Sequence, residues 1–231
     1  MTIKLQADRG KTMKRFFLLL LFIFLTGNFS PNDANAAGLG FYGSFGGGTA
    51  NWSPDGGPDF KKDTSHYSVG LAMDTAPARD KLFNYQLNIG YDRSSHNNSN
   101  AWGNAEFDGF VISNDFGFGT LITPTTRLWF GPEVRLEWAE GSANNITNYK
   151  LHMFGVGVGP VIGVNFNIGD RHTFALKTGF LLVNYFSQGD GFYSASTKEV
   201  TTYSTSDNYD VTEKMFYVTL EFLFRTSDDR R

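Results

Sequence analysis

Between Leu128 and Trp138 the chain reads LWFGPEVRLEW. Leu128, Phe130, Pro132, Val134, Leu136 and Trp138 fall on one face of an extended strand, and Trp129, Gly131, Glu133, Arg135 and Glu137 fall on the other. Alternation with a period of two is the signature of a β-strand with unlike faces. The pattern recurs along the chain. Before it come Leu39, Phe41, Gly43 and Phe45; then Tyr67, Val69, Leu71 and Met73; then Phe83, Tyr85, Leu87, Ile89 and Tyr91. A fourth run, residues 106–121, carries Phe110, Ile112, Phe116 and Phe118 on one face, interrupted by Asn114. After the opening stretch, Phe154, Val156, Val158, Pro160, Ile162, Val164 and Phe166 oppose Gly155, Gly157, Gly159 and Gly163. Phe174, Leu176, Phe180 and Leu182 oppose Lys177, and Phe216, Val218, Leu220, Phe222 and Phe224 oppose Tyr217, Thr219 and Glu221.

These are eight strands, and their connections alternate. Polar stretches follow the odd-numbered runs, notably residues 51–64 and 187–210, and short links follow the even ones. Long loops gathered at one end are the habit of a membrane barrel rather than of a soluble meander. The apolar faces run for about ten residues, the length a tilted strand needs to cross a bilayer. In lipid a sheet edge has no partner for its amides, so the strands must close. Eight strands close around an interior that side chains fill. The chain is therefore expected to form an all-β, eight-stranded antiparallel up-and-down transmembrane barrel. Its charges, Glu133, Arg135, Glu137, Lys177 and Glu221, would then face the lumen, where both signs allow pairing. A soluble barrel would have to crowd every aromatic row into one small cavity while glycines faced water. Pro132 and Pro160 each remove a ladder donor, and a bulge is expected at each.

The first 36 residues stand apart. Lys14 and Arg15 precede an apolar core from Phe16 to Leu25, and Ala34-Asn35-Ala36 makes a small-x-small site. That order predicts a cleaved secretory signal peptide over 1–36, with Met13 the better start, and a barrel domain over 37–231. Cleavage takes five basic and two acidic residues from totals of 20 and 23, leaving 15 and 21, a mildly acidic chain of net charge −6. This balance points to no nucleic-acid partner. The absence of cysteine excludes disulfides, thiolate metal sites and a lipidated N-terminal cysteine.

The signal segment, the strands RLWFGPEVRLEW and GVGVGPVIGVNF and the last strand FYVTLEFLF resemble the small eight-stranded outer-membrane barrels of the OmpA, OmpX and OmpW type. The resemblance implies location in the outer membrane of a Gram-negative-type cell, with extracellular loops, periplasmic termini and a monomeric state. It implies contact with outer-membrane lipid and, through Phe222 and Phe224, recognition by the barrel-assembly machinery, although Arg225 to Arg231 extend beyond that aromatic end. It also implies a non-enzymatic role in membrane structure and surface interaction or adhesion, or else a narrow or lateral route for small hydrophobic solutes.

Candidate sites follow from the same faces. The lumen charges are either a structural plug or a gate. Trp52, Trp102, Trp138, Tyr91 and Tyr185 lie near loop-side strand ends and are expected to form an aromatic girdle at the membrane interface. The segment 187–210, with three tyrosines and many Ser and Thr, is the expected contact for a host or matrix ligand. His96, Ser99 and Glu106 lack the spacing of a hydrolase set. His66, His96, His152 and His172 lie in separate segments and are expected at the surface, without metal-ligand spacing. No cofactor, metal or catalytic residue is expected.

Overall fold

The computed structural model describes residues 38–54, 59–78, 80–97, 104–143, 150–191 and 205–225. They form β1 (Gly38–Pro54), β2 (Phe60–Asp74), β3 (Phe83–Asn97), β4 (Ala105–Thr123), β5 (Thr126–Ala143), β6 (Lys150–Ile168), β7 (His172–Gly191) and β8 (Thr205–Arg225). Each strand pairs antiparallel with its sequence neighbours, and β8 closes on β1 through Gly38↔Arg225 to Pro54↔Tyr209. The result is a closed up-and-down barrel of eight strands. The chain enters and leaves at the same end, here called the terminal end; the opposite end is distal.

Parity fixes the two faces. Phe41, Val69, Leu71, Phe130, Val158, Phe216 and Leu220 point outward and are exposed, while Glu133, Arg135, Glu137, Lys177 and Glu221 point inward and are buried. A polypeptide in water would not turn these faces this way round. Asn114 shares the outward parity of Phe110 and Phe116 yet is buried, and its Oδ1 accepts a 2.6 Å bond from Tyr85 Oη. The fourth run thus keeps its phase, with its one polar interruption satisfied.

The strands outrun the membrane. They have 15 to 21 residues, whereas ~9–11 suffice to cross a bilayer. The sequence predicts loops over 51–64 and 187–210; instead β1 and β2 stay paired out to Trp52↔Phe60, and β7 and β8 out to Gly191↔Thr205. Polar composition marks these stretches as hydrated, and hydrated residues can still be strand.

The hydrophobic rule changes sign along the barrel. Near the distal end the outer face carries Lys61, Asp63, Arg93, Glu106, Asp108 and Glu140, and the inner face carries Trp52, Phe107, Leu151, Met153 and Val211 in one apolar cluster. That is the arrangement of a barrel standing in water. Below it the barrel is inside out.

Pro132 and Pro160 do not cause bulges. They face one another across β5 and β6, and the register of β4–β5 and of β6–β7 is the same on either side of them. The ladder is only interrupted on each proline's outer side. The preceding glycines close the gap: a Cβ on Gly131 would lie 2.0 Å from the Phe116 carbonyl oxygen, and one on Gly159 1.8 Å from that of Phe180. The register shift that does occur lies at Leu121/Thr123, beside the short turn into β5. The turn from β6 to β7 uses Gly169 at φ 58°, a left-handed position suited to glycine.

Candidate functional site in the lumen

The five charges predicted to face the lumen all do so, but they divide between two networks. In the lower one, Lys177 Nζ lies 2.5 Å from Asp115 Oδ2 and 3.2 Å from Glu221 Oε1. Asn88 Nδ2 donates to the same Glu221 oxygen at 2.8 Å, and Tyr217 Oη donates to Glu133. In the upper one, Arg135 donates from Nη2 to Asp92 Oδ1 at 2.9 Å and from Nε to Glu137 Oε2 at 3.2 Å. His66 bridges Asp92 Oδ2, 3.3 Å from Nδ1, and Glu213 Oε1, 2.9 Å from Nε2. Tyr185 Oη reaches Glu137 at 3.3 Å and Glu213 at 3.2 Å.

Each buried charge in these networks thus meets an opposite charge or a hydrogen bond, the condition under which burial is tolerable. A void of about 10 Å³, lined by Tyr42, Asn88, Glu133, Arg135, Lys177 and Tyr217 among others, lies between the two networks. It has room for roughly one water molecule. Toward the terminal end a third set closes the floor. Asp74 accepts from Gln86 at 2.8 Å and Asn165 at 3.0 Å. Arg127 donates to Asn84 at 3.0 Å, and Trp129 stands against Gly163 with its indole N–H on Asn165.

The predicted girdle needs correction. Trp52 and Tyr185 are interior, 2% exposed each, because they share inward parity with Tyr42 on β1 and Lys177 on β7. Trp52 stacks within the distal cluster and Tyr185 serves the upper network. Trp102 lies outside the described residues. Tyr91 and Trp138 point outward and belong to a row that the sequence reading missed in part. Tyr91, Phe110, Trp138, Phe154 and Phe186 are direct cross-strand partners on β3 to β7. Above this row the outer face turns charged at once: Arg93 pairs with Glu106 at 2.8 Å, and Tyr91 Oη donates to Asp108 at 2.5 Å. At the terminal end Phe222 and Phe224 point outward and pack around His172.

Two histidines move inward relative to expectation. His66 and His96 are 3% and 1% exposed, on the inner faces of β2 and β3. His152 and His172 remain on the outside wall, with His152 3.3 Å from Glu140. His96 and Glu106 lie on opposite faces of the wall, and Ser99 lies outside the described residues. Of the segment 187–210, only Ser187 and Asp210 have described side chains. Asp92, Asp115, His66 and Glu213 are the functional-grade residues missed from the sequence. All four carry inward parity, opposite to the outward Tyr91, Phe116, Tyr67 and Phe216 on the same strands, so alternation alone finds them.

A closed eight-stranded barrel, apolar without and ionic within, defines a small transmembrane β-barrel of the outer-membrane type. No family model and no curated relative matches the sequence. The fold is similar to that of the outer membrane protein OprG from Pseudomonas aeruginosa, with a TM-score of 0.52 and 13% identity over 80% of this chain and 95% of that one. Neisserial surface protein A matches at TM-score 0.32 and 15% identity over 78% and 96% of the two chains. Ail, the attachment invasion locus protein of Yersinia pestis, matches at 0.29 and 12% over 80% and 98%.

Proposed function

We propose that this barrel is a closed, non-enzymatic outer-membrane protein that supports the membrane and displays its distal end for surface interaction, including adhesion. The observation that carries the reading is the filled lumen. Two paired networks, a polar floor and an apolar distal cluster occupy the interior, with a void of about 10 Å³ between the networks. In planar bilayers the purified protein is expected to give no stepwise conductance at moderate voltage. Steady channels in the unmodified protein, altered by Glu133→Gln, would replace this reading with transport.

A narrow or lateral route for small hydrophobic solutes is the second reading. It rests on an apolar groove of about 520 Å³ in the outer wall, lined by Phe41, Val69, Leu71, Ile89, Tyr91 and Phe110. There the paired Gly70 and Gly90 thin the sheet in front of Tyr42. Uptake of an aromatic solute that fails on Gly90→Leu would favour it.

The distal end faces outward in this proposal, the termini face the periplasm, the row from Tyr91 to Phe186 sits at the outer interface, and Phe222 and Phe224 serve assembly. The reversal of the hydrophobic rule at the distal end supports this, since that part is built for water. Trypsin applied to intact cells is expected to cut after Lys61 and Lys150, both exposed, and to spare Lys81 and Arg171 until the membrane is broken. Lys62 and Arg127 are buried and are expected to resist cleavage on either side. Cuts at Arg171 in intact cells would invert the orientation.

A further inference from the structure

We propose that the distal lumen contains a transition-metal site, with His66, His96 and Glu213 as ligands to a divalent ion of the zinc, cobalt, nickel or copper class. The donor atoms these side chains offer lie within 4.8 Å of one another. They come from β2, β3 and β8, so no sequence spacing announces them. Ligands at roughly 2.1 Å from a tetrahedral ion stand roughly 3.3 Å apart. His66 Nε2 and Glu213 Oε1, at 2.9 Å, are already close to that separation.

The surrounding groups are those that orient metal ligands. His66 Nδ1 faces Asp92 Oδ2 at 3.3 Å. With an ion bound, an N–H donated there leaves the Nε2 lone pair to the metal, which takes the place of the proton that Nε2 otherwise donates to Glu213, the carboxylate–imidazole arrangement of metal-binding histidines. Glu213 is held in turn by Thr64 and by Tyr185. Imidazole and carboxylate together suit a borderline ion better than calcium or magnesium, which prefer oxygen alone.

The independent observation is His96. Its ring is wedged among Trp52, Phe107 and His66, with centroids 5.5, 5.0 and 6.2 Å away. Its Nδ1 is buried and makes no hydrogen bond. A buried imidazole nitrogen without a partner is costly, and a bound cation that recruits the ring removes that cost. The neighbouring set of His66, Asp92 and Glu137 is less suited, because Arg135 already donates to both carboxylates. Lys62, with its ammonium 5.0 Å from the Trp52 ring, adds positive charge nearby. Glu213 and Asp92 offset it. A bound ion would tie β8 to β2 and β3 across the intervening β1.

The test uses the whole folded, untagged protein in detergent micelles. The exterior His152 and His172 are changed to Gln in every sample, since lone surface histidines also attract ions. Cobalt(II) is the probe, followed by its visible absorption and then displaced with zinc. One ion per chain is expected, with affinity reduced on the order of tenfold or more by His96→Phe and 10–100-fold by Asp92→Asn. His96→Phe preserves ring volume and costs no hydrogen bond at Nδ1, and heat-modifiable gel mobility checks folding. Should that variant not fold, Glu213→Gln is held to the same threshold. Unchanged affinity in the folded variant, or no bound cobalt in the parent, overturns the proposal.

Discussion

Replacing Lys177 with Met is expected to destabilise the folded barrel by about 3–5 kcal/mol, the cost of leaving a buried charge without its partner. Lys177 is 3% exposed and is the cation that both Asp115 and Glu221 contact. Without it, Asp115 at 0% exposure and Glu221 at 2% keep their negative charge, or take up protons, in an interior closed to solvent. The readout is the urea concentration at which heat-modifiable mobility is lost. A second variant isolates the cause. With Asp115→Asn and Glu221→Gln added to Lys177→Met, neither carboxylate that lost its cation is left charged, and most of the loss should return. If the single and triple variants lose stability equally, the network acts by packing volume and not by charge.

A charge on the outer face should cost nearly as much, for the opposite reason. Leu220 is 49% exposed, midway along the outward row from Phe216 to Phe224, with Leu176 and Gly43 beside it on the neighbouring strands. Leu220→Arg is expected to cost about 2–4 kcal/mol in lipid vesicles, the penalty for a cation near the bilayer midplane. Leu220→Phe should be close to neutral. The contrast decides which face meets lipid. An arginine accepted without loss at 220 would mean that this row faces water and that the barrel works the other way out.

Much of this arrangement is written in alternation. Strand number, up-and-down order and the inward turn of Glu133, Arg135 and Lys177 all follow from the period-two pattern and from the intolerance of lipid for open edges. Parity is also more durable than composition, and the misplaced residues show it. Trp52 sits amid polar residues and Tyr185 near a long polar segment, so composition draws both to the rim. Counting in twos from the outward Phe45 and Leu182 skips both, and so puts them inside. Strand length fails for the same reason, since hydrated strand and loop share a vocabulary of Asp, Asn, Ser and Gly.

What alternation cannot supply is which inward side chains meet across the lumen. His66, His96 and Glu213 are far apart in sequence, and their meeting depends on how each strand is staggered against the next around the whole ring. Asp115 finding Lys177, and Arg135 finding Asp92, depend on the same stagger. A stagger is a property of closure, and no single strand contains it.

The stretch of wall above the aromatic row bears on recognition by antibodies. Its charged side chains are distributed one strand at a time: Arg93 on β3, Glu106 and Asp108 on β4, Glu140 on β5, His152 on β6. Any patch large enough for a paratope therefore joins residues from several strands, held together by their pairing in the wall. With this end outward, a serum raised against the native protein would read a mosaic that exists only while the ring is closed. Linear peptides cut from these strands, or boiled protein on a blot, would be poor antigens for it.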